Sequence, residues 1–141
     1  MKDLDIKSIA KEAIQIEAEA VLELKNRVGD VFEDAVKSIL KCSGRLIVTG
    51  IGKSGHICQK IASTMASTGT PSHFVHPSEA IHGDLGMITK HDILLIVSNS
   101  GETSELVSIL PAFKEKKIKI IGLIGEKNST LALQSDFYLD T

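Results

Sequence analysis

The sequence predicts an α/β fold of three layers, a doubly wound five-stranded parallel sheet preceded by helices at the N-terminus. Apolar residues recur at helical spacing over the first forty positions, and from Arg45 onward the pattern changes to short β-branched runs separated by helical segments. One of those runs, Ile93-Leu94-Leu95-Ile96-Val97, is apolar at every position, as a central strand covered on both faces must be.

Taken in order, Ile6, Ile9, Ala13, Ile16 and Ala20 form one stripe on a helix from about Asp5 to Lys25. The stripe is open to two uses, cover for the core or part of an interface between copies. A second helix carries Phe32, Ala35, Val36 and Ile39, with Gly44 placed as a left-handed cap at its end. Strands are expected at Arg45 to Thr49, Ser72 to His76, Ile93 to Val97, Ile118 to Ile124 and Phe137 to Leu139. Helical segments fall near 54–68, 102–117 and 129–135, so right-handed crossovers build the sheet. Pro111 should kink or split the helix near 102–117, because it removes a donor and crowds the preceding turn. Residues 1–141 read as one domain. The chain stops directly after a strand whose edge would normally take a covering helix, so a domain truncated at its C-terminus is expected.

Composition narrows the class of function. The 141 residues are 43% hydrophobic and 24% charged, which suits a buried core, and the net charge of -2 argues against a nucleic-acid partner. Lys114, Lys116 and Lys117 flank Glu115 at a helix end and read as a solvated face. The polar start Met1-Lys2-Asp3-Leu4-Asp5 lacks a signal-peptide core, and no apolar run is long enough for a bilayer, so a cytoplasmic location is expected. Cys42 and Cys58 are far apart and suggest neither a disulfide framework nor zinc. Glu79 and His82 have the spacing of a metal pair but lack a third ligand, so no metal is assigned.

Two strand-to-helix turns carry the chemistry. Thr49-Gly50-Ile51-Gly52-Lys53-Ser54-Gly55-His56 follows the first strand, and Ser98-Asn99-Ser100-Gly101-Glu102-Thr103 follows the third. In a parallel sheet both belong to the carboxyl edge, where ligands bind. Glycines let the backbone approach an anion, and the N–H groups opening the next helix point at it. Ser54, Ser98, Ser100 and Thr103 add hydroxyls, and the combination suits a phosphate. Gly50, Gly52 and Gly55 also fit GxGxxG, but the second strand ends at Val75-His76-Pro77 rather than at the acid a dinucleotide site requires. A Walker loop would need glycine where Ile47 stands.

His73, His76 and His91 read as structural, whereas His82 sits in a glycine-bounded stretch bordering the loops. Glu105 lies in the first turn of a helix, where the dipole favours its ionised form; a general base and an acid without chemistry both remain open. Glu102, three residues after Asn99, reads as a capping partner.

These motifs, with Ala66-Ser67-Thr68-Gly69-Thr70-Pro71 and His82-Gly83-Asp84-Leu85-Gly86, resemble the sugar isomerase (SIS) domain, and within it the arabinose-5-phosphate isomerases. The resemblance covers most of the chain and implies a flavodoxin-like strand order. It implies interconversion of D-arabinose 5-phosphate and D-ribulose 5-phosphate through a cis-enediol, the step feeding Kdo for lipopolysaccharide or capsule, with no cofactor. Carried onto this chain, Gly52, Ser54, Gly55, Ser98, Asn99, Ser100 and Thr103 would hold the pentose 5-phosphate. Lys53 would stabilise charge, His82 would assist ring opening or proton transfer, and Glu105 would be a candidate base. The family's longer members add paired CBS modules that this chain lacks, and a homo-oligomer, dimer or tetramer, is implied. SIS domains also serve as sugar-phosphate sensors in transcription regulators, which makes a non-catalytic binding domain the alternative.

Overall fold

A computed structural model describes residues 5–141. Residues 1–4, on which most of the reading of the polar start rests, lie outside the described residues. Five strands, β1 (Leu46–Thr49), β2 (Ser72–Phe74), β3 (Ile93–Ser98), β4 (Lys119–Ile124) and β5 (Phe137–Asp140), form one parallel sheet in the order β2-β1-β3-β4-β5. Thr49 pairs with Ile96 and Ser98 with Ile124, so the carboxyl ends of β1, β3 and β4 share one edge.

Helices cover both faces of that sheet. On one side α2 (Asp30–Leu40) and α3 (Gly52–Ser67) bury Ala35, Cys58 and Ala62 against Leu46, Val48, Leu95 and Ile121. On the other, α4 (Pro77–Ile81), α5 (Ser104–Glu115) and α6 (Thr130–Gln134) meet Ile47, Leu94, Ile96 and Ile120. Each fully buried aliphatic side chain contributes roughly 1.5–3 kcal/mol, so these two clusters dominate stability. The alternation along β3 divides its side chains between both clusters, which explains the unbroken apolar run.

The first helix departs from one of its two expected uses. α1 (Ile6–Glu23) starts at an Asp5 cap, whose carboxylate accepts the Ser8 N–H at 3.1 Å, yet none of its residues is buried. Both sheet faces are already covered, so the stripe does not serve the core of this chain. A 3-10 turn at Leu24–Arg27 ends the segment, and Arg27 lies 3.6 Å from Asp140 at the end of β5.

Gly44 does not cap α2. The helix ends at Leu40 with Lys41 as an ordinary right-handed cap, and Gly44 is absent from the glycines of positive φ. It serves close approach instead, since an added Cβ would stand 2.5 Å from both Asp92 Oδ1 and the His91 carbonyl oxygen. Pro111 lies inside an unsplit α5, where Leu106, Ile109, Leu110 and Phe113 pack into the core on both sides of it and outweigh the missing hydrogen bond. The polar stretch after β2 is partly helical: proline opens α4, and a 3-10 turn follows at Asp84–Met87. Among the described residues, no helix is long and apolar enough to cross a membrane.

Candidate functional site

The loop after β1 runs toward the α2/α3 face and the loop after β3 toward the opposite face. β1 and β3 are hydrogen-bonded neighbours whose following loops leave toward opposite faces, so the chain reverses its direction of winding between their carboxyl ends. This switch point is where open α/β sheets take their ligands.

In the first loop, Gly52 opens α3 at φ +60, and the N–H groups of the first turn have no partner within the helix. Lys53 is exposed, Ser54 is half-buried, and Lys53 makes no ion pair among the described residues. Gly55 is buried beneath the loop, where its Cβ would come 2.9 Å from the Gly50 carbonyl oxygen. That contact draws helix against strand and fixes the turn. Cys58 lies below, its thiol donating to the Thr49 carbonyl at 3.2 Å. Burial pushes that thiol up to about 11 against a smaller opposing effect of the Val97 backbone, which leaves it protonated and inert at neutral pH.

The second loop is tied from inside. Ser98 is 4% exposed; its hydroxyl accepts the Gly101 N–H at 3.0 Å and sits 3.4 Å from the Thr103 hydroxyl. The structure therefore places Ser98 under the loop rather than on its rim. Asn99 and Ser100 are exposed, Thr103 is half-buried at the N-cap of α5, and the Ser100 hydroxyl accepts the Glu102 N–H at 3.3 Å.

A third segment braces this loop, and sequence reasoning missed it. The Leu131 N–H donates to the Gly101 carbonyl at 3.1 Å, the Gly125 N–H donates to the Ser98 carbonyl at 3.3 Å, and the Glu102 carboxylate accepts the Thr130 N–H. Glu102 thus caps α6 and not its own helix, the cap expected from its spacing to Asn99. The detectable signal was Ser129, the side-chain cap of α6, standing directly before an apolar run.

His82, Glu79 and Glu105 are all exposed, on the segments that follow β2 and β3. Glu105 is held below the ordinary carboxylate range by a hydrogen bond to its own backbone N–H and by the Ser104 hydroxyl at 2.9 Å, with slight burial opposing. It stands ionised at neutral pH as a weak base. His76 caps α4 through Nδ1, which accepts the Ser78 N–H at 3.2 Å. Among the described residues, no three His, Cys, Asp or Glu side chains gather as a metal site.

The chain is similar to known proteins over nearly its whole length. The chain is 49% identical over 139 residues to arabinose 5-phosphate isomerase KdsD of Pseudomonas aeruginosa, spanning 99% of this chain and 43% of that protein. It is 44% identical over 135 residues to KdsD of Escherichia coli K12, spanning 96% of this chain and 41% of that protein. The chain thus covers about two fifths of the length of these curated relatives. The solved structure of E. coli CFT073 c3406 in complex with arabinose 5-phosphate superposes with a TM-score of 0.91 at 39% identity, covering 99% of this chain and 74% of that one. Residues 39–141 match the SIS domain family, and with relatives of this identity the chain belongs to that family.

Proposed function

We propose that the protein is an aldose-ketose isomerase that interconverts D-arabinose 5-phosphate and D-ribulose 5-phosphate. The observation that carries this reading is the switch point between β1 and β3, at which two loops rich in N–H groups and hydroxyls leave neighbouring strands. The names of the relatives support the substrate class.

In this mechanism the phosphate lies across the two loops, held by the N–H groups of Gly52, Ser54 and Gly55 and by Asn99, Ser100 and Thr103, while Ser98 keeps the second loop in shape. His82 assists ring opening or proton transfer. A base, for which Glu105 is the candidate, removes the proton at C2 of the open aldose, a cis-enediol forms, and the proton returns to C1. Lys53 stabilises the negative charge that develops on oxygen, the contribution a preorganised cation makes best. Both Lys53 and Glu105 are exposed in the single chain. A second copy packed through the bare apolar stripe of α1 would assemble a dimer or tetramer, and burial of Glu105 against a partner or the substrate would restore its basicity. The reaction feeds Kdo synthesis for lipopolysaccharide or capsule in the cytoplasm.

The test is incubation with ribulose 5-phosphate in deuterated water. Arabinose 5-phosphate carrying deuterium at C2 supports proton transfer through an enediol. Binding without label incorporation would instead assign a sugar-phosphate sensor.

A further inference from the structure

At the opposite edge of the sheet from the phosphate loops, three segments converge on a cleft of about 290 Å³. It lies where β3 and β4 begin and is lined by Lys41, Lys90, His91, Lys117 and Lys119, with Asp92 as the one carboxylate. The chain carries a net charge of -2, so four ammonium groups around one cavity are a local concentration and not a reflection of composition. Among the described residues, the ion pairs use Arg27, Lys37 and Arg45, and none of the four lysines has a carboxylate partner.

Asp92 does not neutralise them. Its oxygens accept the Arg45 N–H at 2.7 Å, the Thr89 N–H at 2.7 Å and the Thr89 hydroxyl at 3.1 Å, and the Arg45 guanidinium stands 3.6 Å away. The same bonds fix the rim. The His91 carbonyl accepts the Gly44 N–H at 3.0 Å and the Cys42 thiol at 3.2 Å, which locks the two loops carrying Lys41 and Lys90 together.

Lys117 has φ 57, the one non-glycine residue of positive φ among those described. Its N–H donates to the Lys114 carbonyl and that of Ile118 to the Phe113 carbonyl, a helix-ending turn that glycine adopts without strain. The chain thus carries a cation at a backbone position that disfavours any side chain. Lys119 donates toward the Ser38 hydroxyl at 3.5 Å and lies 5.7 Å from the centre of the Phe137 ring.

We propose that this cleft is a second anion site, separate from the sugar-phosphate loops, that binds a compact diphosphate group. Lysine ammoniums act as point charges and favour the anion with most charge in least volume. The cavity is at the lower end of small-ligand sites, and no Phe, Tyr or Trp lines it to stack a base. Recognition therefore falls on the diphosphate itself, either as free pyrophosphate or as the tail of a nucleoside diphosphate.

Titration with pyrophosphate, ADP and orthophosphate, followed by amide NMR shifts and calorimetry, tests this. Pyrophosphate should bind at least tenfold more tightly than orthophosphate and shift the amides of 41–43, 90–92 and 117–119. Tighter binding of ADP would identify the nucleotide source, and equal or weaker binding the free diphosphate. Lys117→Gly alone should raise Tm without ligand and weaken pyrophosphate several-fold. K41Q/K90Q/K117G should weaken it at least tenfold while arabinose 5-phosphate still shifts the loops after β1 and β3. The proposal is overturned if the triple variant binds pyrophosphate as the parent does, if S100A/T103A removes that binding instead, or if orthophosphate binds equally well.

Discussion

Gly101 and Ser129 are so close that a Cβ on the glycine would lie 1.9 Å from the Ser129 hydroxyl oxygen. Gly101 also holds φ +65, so two independent constraints meet in one residue of the Ser98–Thr103 loop. The contact joins the Ser98–Thr103 loop to the start of α6, and the shape of one depends on the other.

Gly101→Ala should therefore destabilise the fold by about 2–4 kcal/mol, combining a left-handed backbone cost near 1 kcal/mol with overpacking of about 1–3 kcal/mol. Urea unfolding measures it. A loss below about 0.5 kcal/mol, the range of an inert surface substitution, would mean that α6 does not brace the loop.

Lys53 is exposed and free of ion pairs among the described residues, so its removal should spare the fold. Lys53→Ala should lower kcat by about 10²–10³-fold or more, the range for a lost electrostatic stabiliser, with Tm unchanged. Unchanged turnover would take Lys53 out of the mechanism.

Asp92 gives a pH signature. Burial alone would raise its carboxyl, but the Thr89 and Arg45 N–H groups, the Thr89 hydroxyl and the Arg45 charge together hold it below its ordinary value. A carboxyl with a folded pKa below the unfolded one adds stability above the unfolded value, about 3.9, and loses it as pH falls through the folded value. Asp92→Ala should cost about 2–4 kcal/mol at neutral pH, through lost charge-assisted hydrogen bonds and an orphaned Arg45. The gap between variant and parent should narrow below about pH 4. A gap independent of pH would show that the carboxylate charge contributes nothing.

The stripe of α1 gives a prediction on assembly. Ile9 and Ile16 are 50% and 59% exposed on a helix with no buried residue. Ile9→Glu with Ile16→Glu should convert an oligomer into a species of 15.2 kDa by light scattering, without loss of helical content. An unaltered oligomer would move the interface elsewhere.

Much of this was legible in the sequence, for identifiable reasons. Strands β1, β3 and β4 are dense in Ile, Leu and Val because both faces are covered, and glycine and hydroxyl residues mark the two turns that follow β1 and β3. What stayed hidden depends on contacts distant in sequence. Glu102 meets Thr130 twenty-eight residues on, a link that spacing to Asn99 cannot express. Lys117 reads as a solvated helix end until the fold brings Lys41 and Lys90 beside it. Gly44 resembles a cap in one dimension and is a close contact with Asp92 in three. The α1 stripe has a clear period, but periodicity cannot say whether the surface it meets belongs to the same chain.

Amide NMR during titration with arabinose 5-phosphate tests most directly whether the loops after β1 and β3 hold a sugar phosphate between them. Saturable shifts are expected at Gly52–Gly55 and at Asn99–Glu105 with a common dissociation constant. Shifts confined to one loop, or clustered away from both, would contradict a shared site.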